Sequence, residues 1–234
     1  MPKIAFLGAG STVFARNVLG DCLLSEALRE SEFALFDIDP QRLKDSEMML
    51  NNLNRNTGGY GKIVAYTDRK AALRGADYVI CAIQVGGYEP CTVTDFEVPK
   101  KYGLRQTIGD TLGIGGIFRA LRTLPVFQEF ARDIEEVCPD AWLLNYVNPM
   151  AILTGYMQRF TGVKTVGLCH SVQICVPRLL EGLGMSAENV QWKIAGINHM
   201  AWLLEVTRSG EDLYPEIKRR AAARTDKHDD MVRY

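Results

Sequence analysis

Two short segments in the second half of the chain carry residue types that bind transition metals. Gly167–Ser171, with the sequence GLCHS, follows an apolar run, and Gly196–Met200, with the sequence GINHM, lies further along the chain. A thiolate from Cys169 and an imidazole from His199 would suit a divalent transition metal, with substrate oxygens completing an open site. The alternative is a buried structural cysteine and a core histidine, which are the commoner roles of these residue types. The paired-cysteine spacing of a closed structural zinc site is absent.

A glycine turn near the N-terminus predicts a dinucleotide site. Gly8 permits a tight turn, and Gly10 lets the backbone approach a pyrophosphate. The helix that follows begins near Ser11 and Thr12 and offers its unpaired N–H groups and its dipole to the phosphates. Val13 stands where the usual fingerprint has a third glycine. A plain strand-to-helix turn is therefore the alternative interpretation.

The end of the second apolar run favours NAD over NADP. Asp37 closes the sequence FALFD, where its carboxylate could accept hydrogen bonds from the ribose hydroxyls. An acid at this position disfavours the 2′-phosphate of NADP. The following Asp39-Pro40 pair predicts a helix start, with Asp39 as its cap.

Two polar segments are candidates for contact with a substrate. Asn145–Pro149 ends a predicted strand, where open α/β sheets bind their ligands. Asn148 either contacts a ligand, caps a helix whose first residue is Pro149, or does both. Ile108–Gly116 holds four glycines and Asp110, which predicts a long loop whose backbone approaches a ligand. A flexible connector is the alternative for that segment.

The elements that must position these residues alternate between strands and helices. Most apolar runs are short and continuous, as in parallel strands buried on both faces. The predicted strands are Lys3–Leu7, Phe33–Asp37, Lys62–Tyr66, Tyr78–Ile83, Trp142–Asn145, Thr165–Cys169, Val190–Ala195 and Trp202–Thr207. This order predicts an α/β fold with a Rossmann-like doubly wound parallel sheet over residues 1–187. Residues 188–234 are predicted to begin a second, α+β substrate and metal domain, and the charged stretch Lys218–Tyr234 resembles a helix.

Composition excludes several other classes. The chain has 234 residues and a net charge of −1, so no nucleic-acid or acidic-membrane partner is expected. No apolar run approaches the length of a membrane span, and the N-terminus lacks the regions of a signal peptide. Six irregularly spaced cysteines are typical of reduced thiols, which predicts a cytoplasmic location.

Taken together, the polar segments resemble the NAD- and manganese-dependent glycosidases of glycoside hydrolase family 4. The matching runs follow the family's order and cover nearly all of the chain. They are Gly8–Ser11, Gln84–Tyr88, Gly109–Gly116, Asn145–Pro149, Cys169–Ser171 and Gly196–His199. The Cys-His-Ser run and the sequence GGYEPCT look most like the α-galactosidase (melibiase) branch.

The resemblance implies NAD and Mn²⁺ as cofactors and a glycoside as substrate. In that family a hydride leaves C3 of the sugar, the C2 proton is removed, the glycosidic oxygen is eliminated, water adds, and the hydride returns. The resemblance implies Cys169 and His199 as metal ligands, Asn148 as a substrate contact and His170 as the acid, whereas Asp110 is a candidate substrate contact from the glycine-rich segment alone. It also implies a non-phosphorylated sugar, since Thr92 stands where phospho-sugar enzymes carry an arginine, and a homo-oligomer is expected.

Two other functions remain open at this point. The family's chains are considerably longer, and the tyrosine proposed as the C2 base would lie beyond Tyr234, so this chain alone is expected to bind NAD but to turn over poorly. A non-catalytic NAD-binding fragment is therefore one alternative. An NAD-dependent 2-hydroxy-acid dehydrogenase of the malate or lactate type is the other, although a metal-bound thiolate has no role in it.

Overall fold

The computed structural model describes residues 1–224, which form two compact units, Met1–Leu168 and the part that begins at Cys169. The first unit is built on a six-stranded parallel sheet in the order β3-β2-β1-β4-β5-β6. Its strands are β1 (Lys3–Leu7), β2 (Glu32–Phe36), β3 (Lys62–Tyr66), β4 (Tyr78–Cys81), β5 (Trp142–Asn145) and β6 (Lys164–Gly167). The strand order reverses between β1 and β4, so the predicted Rossmann-like sheet is confirmed and this reversal marks the expected ligand crevice.

Helices cover both faces of this sheet. Those of the first unit are α1 (Thr12–Leu24), α2 (Pro40–Asn56), α3 (Arg69–Leu73), α4 (Val93–Lys100), α5 (Gly113–Val137) and α6 (Met150–Phe160), and an irregular helical turn, Gly87–Thr92, leads into α4. Alternate residues of β1 enter two separate cores: Phe6 packs with Leu19 of α1 and Leu50 of α2, whereas Leu7 packs with Phe127 of α5 and Leu153 of α6. The alternation follows from the two-residue period of a strand. Because both faces of such a strand are buried, its sequence is a continuous apolar run.

Local signals in the sequence set several helix starts. Asp39 caps α2 by accepting hydrogen bonds from the backbone N–H groups of Gln41 and Arg42, as predicted. Asp68 caps α3 in the same way by accepting from Ala71. Each cap fixes the point at which the chain leaves a strand and turns into a helix.

The second unit pairs helices with an antiparallel sheet. It contains α7 (Ser171–Gly182), β7 (Val190–Ile197), β8 (Met200–Arg208), β9 (Glu211–Asp212) and α8 (Tyr214–Ala223). Strands β7 and β8 form a hairpin with an irregularity between Lys193 and Ile194. A small core, made of Val176, Leu180, Leu183, Val206 and Ile217, joins α7 and α8 to this sheet. The strands predicted over Val190–Ala195 and Trp202–Thr207 are therefore confirmed and pair with each other.

The compact units divide at a different point from the predicted domain boundary. Residues 1–187 were expected to form the first domain, but the division lies between Leu168 and Cys169. The physical reason is that Val176 and Leu180 of α7 bury their side chains in the core of the second unit. The boundary after residue 187 stays a prediction about domain architecture.

A further expectation concerns the charged stretch near the end of the chain. Of the predicted helix over Lys218–Tyr234, α8 accounts for the residues to Ala223, and residues 225–234 lie outside the described part of the chain. Across residues 1–224, no helix has the length and apolar character needed to cross a membrane.

Candidate functional site

The glycine turn after β1 is fixed by the neighbouring strands. The N–H groups of Gly8 and Ala9 both donate to the carbonyl oxygen of Phe36 at 3.0 Å. Gly8 adopts φ +91°, and a Cβ there would lie 2.5 Å from the carbonyl oxygen of Ala82. Only glycine tolerates both conditions without strain. The turn therefore brings backbone, not side chains, to the sheet edge where the strand order reverses.

Asp37 meets the same turn. Its Oδ2 accepts the Gly10 N–H at 2.7 Å, and its Oδ1 accepts the Asp39 N–H at 2.9 Å. A Cβ on Gly10 would lie 2.6 Å from Asp37 Oδ2, so the close approach requires glycine. An ionised carboxylate offers about four acceptor positions, and two bonds leave the others for ribose hydroxyls.

The start of α1 has the character of a phosphate site. The Ser11 side chain makes no capping hydrogen bond, and the first turn holds no acid that would repel an anion. The N–H groups of Ser11 and Thr12 already donate to the carbonyl oxygens of Gly8 and Gly10, so the positive end of the helix dipole is what favours a pyrophosphate there. The third glycine of the usual fingerprint allows close packing of helix against strand. Val13, which stands in its place, is 66% exposed, so its side chain is accommodated at the surface. Gly8, Gly10, Ser11 and Thr12 thus form one turn whose close backbone approach is compatible with a dinucleotide.

A single arginine joins the two predicted substrate contacts. Arg119, on α5, donates from Nε to the backbone oxygen of Asn148 at 3.2 Å and from a terminal nitrogen to Asp110 Oδ2 at 3.4 Å. The Arg119 side chain is largely buried, and that of Asp110 is about one-third exposed. Asp110 and Asn148 are therefore held in one place, and the Asp110 carboxylate keeps an exposed surface for a ligand. Sequence reasoning missed Arg119 because an arginine on a helix gives no local sign of its partner.

The glycine-rich segment serves packing more than the sequence indicated. The predicted loop over Ile108–Gly116 is wrong in its second half, since α5 begins at Gly113. Gly115 and Gly116 are buried in the first turns of this helix, and a Cβ on Gly116 would lie 2.5 Å from the carbonyl oxygen of Thr111. These glycines allow the helix to lie against the preceding loop.

Asn148 differs slightly from its predicted position as a helix cap. Pro149 occupies the cap position and α6 begins at Met150, so the proline is not the first helical residue. The Asn148 side-chain oxygen still accepts the Met150 N–H, at 3.3 Å. Its amide nitrogen is the group that remains for a ligand.

The segment after β4 is held by an ion pair that the sequence did not reveal. Arg122 on α5 donates to both oxygens of Asp95, at 3.1 and 2.6 Å, and to the backbone oxygen of Val85. Thr92 lies in this segment, is 8% exposed, and accepts a hydrogen bond from Gln84 at 3.0 Å. The Thr92 hydroxyl is therefore engaged within the segment.

In the second unit, the structure brings the two predicted metal ligands together. Cys169 Sγ lies 3.6 Å from His199 Nε2. A metal–sulfur bond of about 2.3 Å and a metal–nitrogen bond of about 2.0 Å at a tetrahedral angle give a separation of about 3.5 Å. The pair thus has the spacing of two ligands of one ion. No group of three metal-binding side chains occurs among the described residues.

The histidine is presented by the β7–β8 hairpin. Ile197 pairs with Met200, which leaves Asn198 and His199 as the two turn residues, and His199 has φ +63°. Its Nε2 is the nitrogen that faces the sulfur. Its Nδ1 is buried and has no hydrogen-bond partner within residues 1–224. The turn therefore aims the imidazole at Cys169.

His170, the predicted acid, lies at the cap position of α7. Its side chain is exposed, and its backbone oxygen accepts hydrogen bonds from Gln173 and Ile174. The backbone role fixes the residue next to Cys169 while the imidazole remains accessible to solvent.

Comparison with protein families gives two adjoining matches. The model described as "Family 4 glycosyl hydrolase" matches residues 3–185. The model described as "Family 4 glycosyl hydrolase C-terminal domain" matches residues 194–234. Together these matches cover almost the whole chain, and they favour the glycosidase interpretation over the dehydrogenase alternative.

Individual relatives agree with the family matches. An α-galactosidase of Bacillus subtilis (strain 168) is 64% identical over 100% of this chain and 54% of its own length. An α-glucosidase of Erwinia rhapontici is 37% identical over 94% of this chain and 49% of its own length. A 6-phospho-β-glucosidase from Thermotoga maritima, solved with manganese, NAD⁺ and glucose-6-phosphate, superposes with a TM-score of 0.82 at 26% identity, over 94% of this chain and 52% of that one. The chain spans about half the length of the relatives it matches.

Proposed function

This chain belongs to family 4 of the glycosyl hydrolases, and we propose that it carries the NAD-binding and metal-binding part of an enzyme that hydrolyses α-galactosides. The observation that carries the proposal is the 3.6 Å approach of Cys169 Sγ to His199 Nε2. A dinucleotide fold alone would suit an ordinary dehydrogenase equally well. The metal pair adds a group that hydride transfer from a 2-hydroxy acid to NAD does not need.

The choice of NAD and Mn²⁺ rests on the donor atoms and on the related enzymes. Positions 8 and 10 require glycine, because a Cβ would clash with the Ala82 carbonyl oxygen and with the Asp37 carboxylate, and Asp37 retains acceptor capacity for ribose. An acid at that position disfavours NADP. The Thermotoga maritima relative was solved with both manganese and NAD⁺.

When bound, NAD would accept a hydride from C3 of the sugar and the metal would act as a Lewis acid on the sugar's oxygens. Cys169 and His199 hold the metal. Asp110 and the amide of Asn148 orient sugar hydroxyls, and Arg119 keeps both at fixed positions. A ketone at C3 would make the C2 proton more acidic, and its transfer to a base would let the glycosidic oxygen leave as a C1–C2 double bond forms. Addition of water to that bond and return of the hydride to C3 would complete the hydrolysis and restore NAD.

His170 is proposed to protonate the leaving oxygen. An imidazole side chain is among the commonest general acids of enzymes. The exposed side chain of His170 follows directly after the metal-binding cysteine. A substitution at His170 is therefore expected to slow the release of poor leaving groups more than that of nitrophenolate.

The substrate class is the α-galactoside. The 64% identical relative is an α-galactosidase, whereas the 37% identical one is an α-glucosidase. Thr92, with its hydroxyl engaged by Gln84, offers no positive charge to a sugar phosphate. A non-phosphorylated galactoside is thus the proposed substrate.

The test is hydrolysis of a nitrophenyl α-galactoside with NAD and Mn²⁺ present together and with each omitted in turn. It is run on this chain and, in parallel, on any longer natural chain that contains it. The proposal expects nitrophenol only when both are present, with no net NADH, and much slower release from this chain than from a longer one. Activity that persists after complete removal of the metal would contradict it.

Two controls separate this function from its alternatives. Net NADH formed from a 2-hydroxy acid would favour the dehydrogenase. The matching α-glucoside and α-galacturonide, assayed at equal concentration, test the substrate class, and faster release from either would overturn the galactoside assignment.

A further inference from the structure

The sulfur of Cys169 has a second polar neighbour besides His199. Ser171 Oγ lies 3.3 Å from Cys169 Sγ, and the Ser171 backbone N–H donates to the same sulfur at 3.4 Å. Both contacts come from one residue, the first of α7. Cys169 precedes this helix, so Ser171 is the helical residue that contacts the metal-binding sulfur.

The direction of the hydroxyl contact depends on the state of the sulfur. A thiol can donate its proton to the Ser171 oxygen, whereas a metal-bound thiolate has no proton and can only accept. With a metal bound, the Ser171 hydroxyl therefore becomes the donor, and the sulfur accepts two hydrogen bonds from one residue. Hydrogen bonds to an ionised group are stronger than neutral ones.

The surrounding packing keeps Ser171 in place. Val176 and Leu180 anchor α7 in the core of the second unit, and the backbone oxygen of His170 accepts from Gln173 and Ile174. Trp192 of β7 also donates to the backbone oxygen of Val172, at 3.1 Å. The helix start is thus tied to the sheet that presents His199.

We propose that Ser171 is a positioning residue of the metal centre, whose hydroxyl and backbone N–H hold the Cys169 sulfur toward the ion that His199 binds. The inference rests on the proposed function, because it presumes a metal between Cys169 and His199. Groups that orient a metal ligand commonly contribute a factor of about 10 to 100 in metal affinity. The expected effect of removing the Ser171 hydroxyl lies near the lower limit, because its backbone N–H remains.

The experiment titrates the whole chain with Co²⁺, a coloured substitute whose thiolate charge-transfer band reports on the sulfur. Ser171→Ala is compared with Ser171→Thr, which keeps a hydroxyl, and with Ser186→Ala, whose hydroxyl accepts from Glu188 instead. Alanine is the best helix former, so Ser171→Ala should not impair folding of α7. Circular dichroism checks the fold of each variant.

The expected result is an affinity about 10-fold lower in Ser171→Ala, with the charge-transfer band moved to longer wavelength because the sulfur loses a hydrogen bond. Ser171→Thr and Ser186→Ala should keep both the affinity and the band of the wild type. An unchanged affinity and band in Ser171→Ala would overturn the role of Ser171 alone. A wild-type chain that binds no Co²⁺ and no Mn²⁺ would overturn the metal site itself.

Discussion

Replacing Gly10 with alanine tests the dinucleotide site where the backbone lies against the Asp37 carboxylate. The new methyl group would lie 2.6 Å from Oδ2 and 2.8 Å from Cγ of Asp37. Such distances are too short for van der Waals contact, so the Asp37 carboxylate must move. Its hydrogen bond from the Gly10 N–H, now 2.7 Å long, would be lost or lengthened.

The size of the effect follows from that bond. A hydrogen bond to a charged group contributes about 1.5–3 kcal/mol. We therefore expect the free energy of unfolding of Gly10→Ala to fall by an amount in this range. Since each 1.4 kcal/mol or so is a tenfold change in binding, displacement of the carboxylate that holds the ribose should weaken NAD binding by roughly 10- to 100-fold.

Isothermal titration calorimetry with NAD and urea denaturation measure the two quantities. Gly155→Ala is the matched control, because Gly155 lies within α6 and a Cβ there meets no atom within 4 Å. That change should stabilise the protein by about 0.5–1 kcal/mol and leave NAD binding unaltered. If Gly10→Ala bound NAD as tightly as the wild type, the assignment of this turn to the dinucleotide would be refuted.

Three other predictions concern stability and reactivity. Arg122→Met should lower the free energy of unfolding by about 3–5 kcal/mol in urea denaturation, because Asp95 is 1% exposed and would be left as an unpaired buried charge; a loss below about 1 kcal/mol would contradict this role. Gly116→Ala should cost about 1–3 kcal/mol, measured in the same way, because a backbone oxygen lies 2.5 Å from the new methyl group; an unchanged midpoint would disprove the packing argument. Burial raises the pKa of Cys81 to about 12 and that of Cys138 to about 11. Because only the thiolate reacts, iodoacetamide at neutral pH should leave both unmodified in the folded chain, with labelling increasing only as the pH rises toward those values; mass spectrometry of the peptides would detect any early labelling that contradicts it.

The parallel sheet could be predicted because its strands are buried on both faces. A run such as Lys3–Leu7 has apolar side chains in succession, and the structure places Phe6 and Leu7 in separate cores on opposite sides. The turn at Gly8 and Gly10 could also be predicted, since the space and backbone conformation there admit only glycine. Local sequence carries this information because the constraint itself is local.

The start of α5 was mispredicted for a physical reason. Glycines in a sequence usually indicate a loop, but Gly115 and Gly116 lie inside the helix and let it approach the backbone of Gly109 and Thr111. The close approach involves residues that are near in sequence. Only the fold, however, decides whether a glycine serves a turn or a contact.

The arginines of α5 could not be assigned from sequence at all. Arg119 and Arg122 have the spacing of neighbours on a helix surface, which is typical of a solvated face. Their partners, Asn148 and Asp95, come from different elements. Long-range pairs of this kind become visible only when the sheet order is known.

The same reasoning explains why Cys169 and His199 were weak evidence separately. One follows β6 and the other lies in a hairpin turn, and the family resemblance, rather than their spacing, linked them to a metal. The structure brings their side chains within 3.6 Å of each other. Ser171, the additional neighbour of the sulfur, gave no signal in the sequence beyond its position beside the cysteine.

The metal pair is tested most directly by calorimetric titration of the chain with Mn²⁺. The wild type should bind one ion per chain, Cys169→Ser and His199→Ala should each lose that binding, and Cys175→Ser, a cysteine change elsewhere on α7, should retain it. Undiminished Mn²⁺ affinity in Cys169→Ser, or an equal loss in Cys175→Ser, would contradict the assignment of the metal to Cys169 and His199.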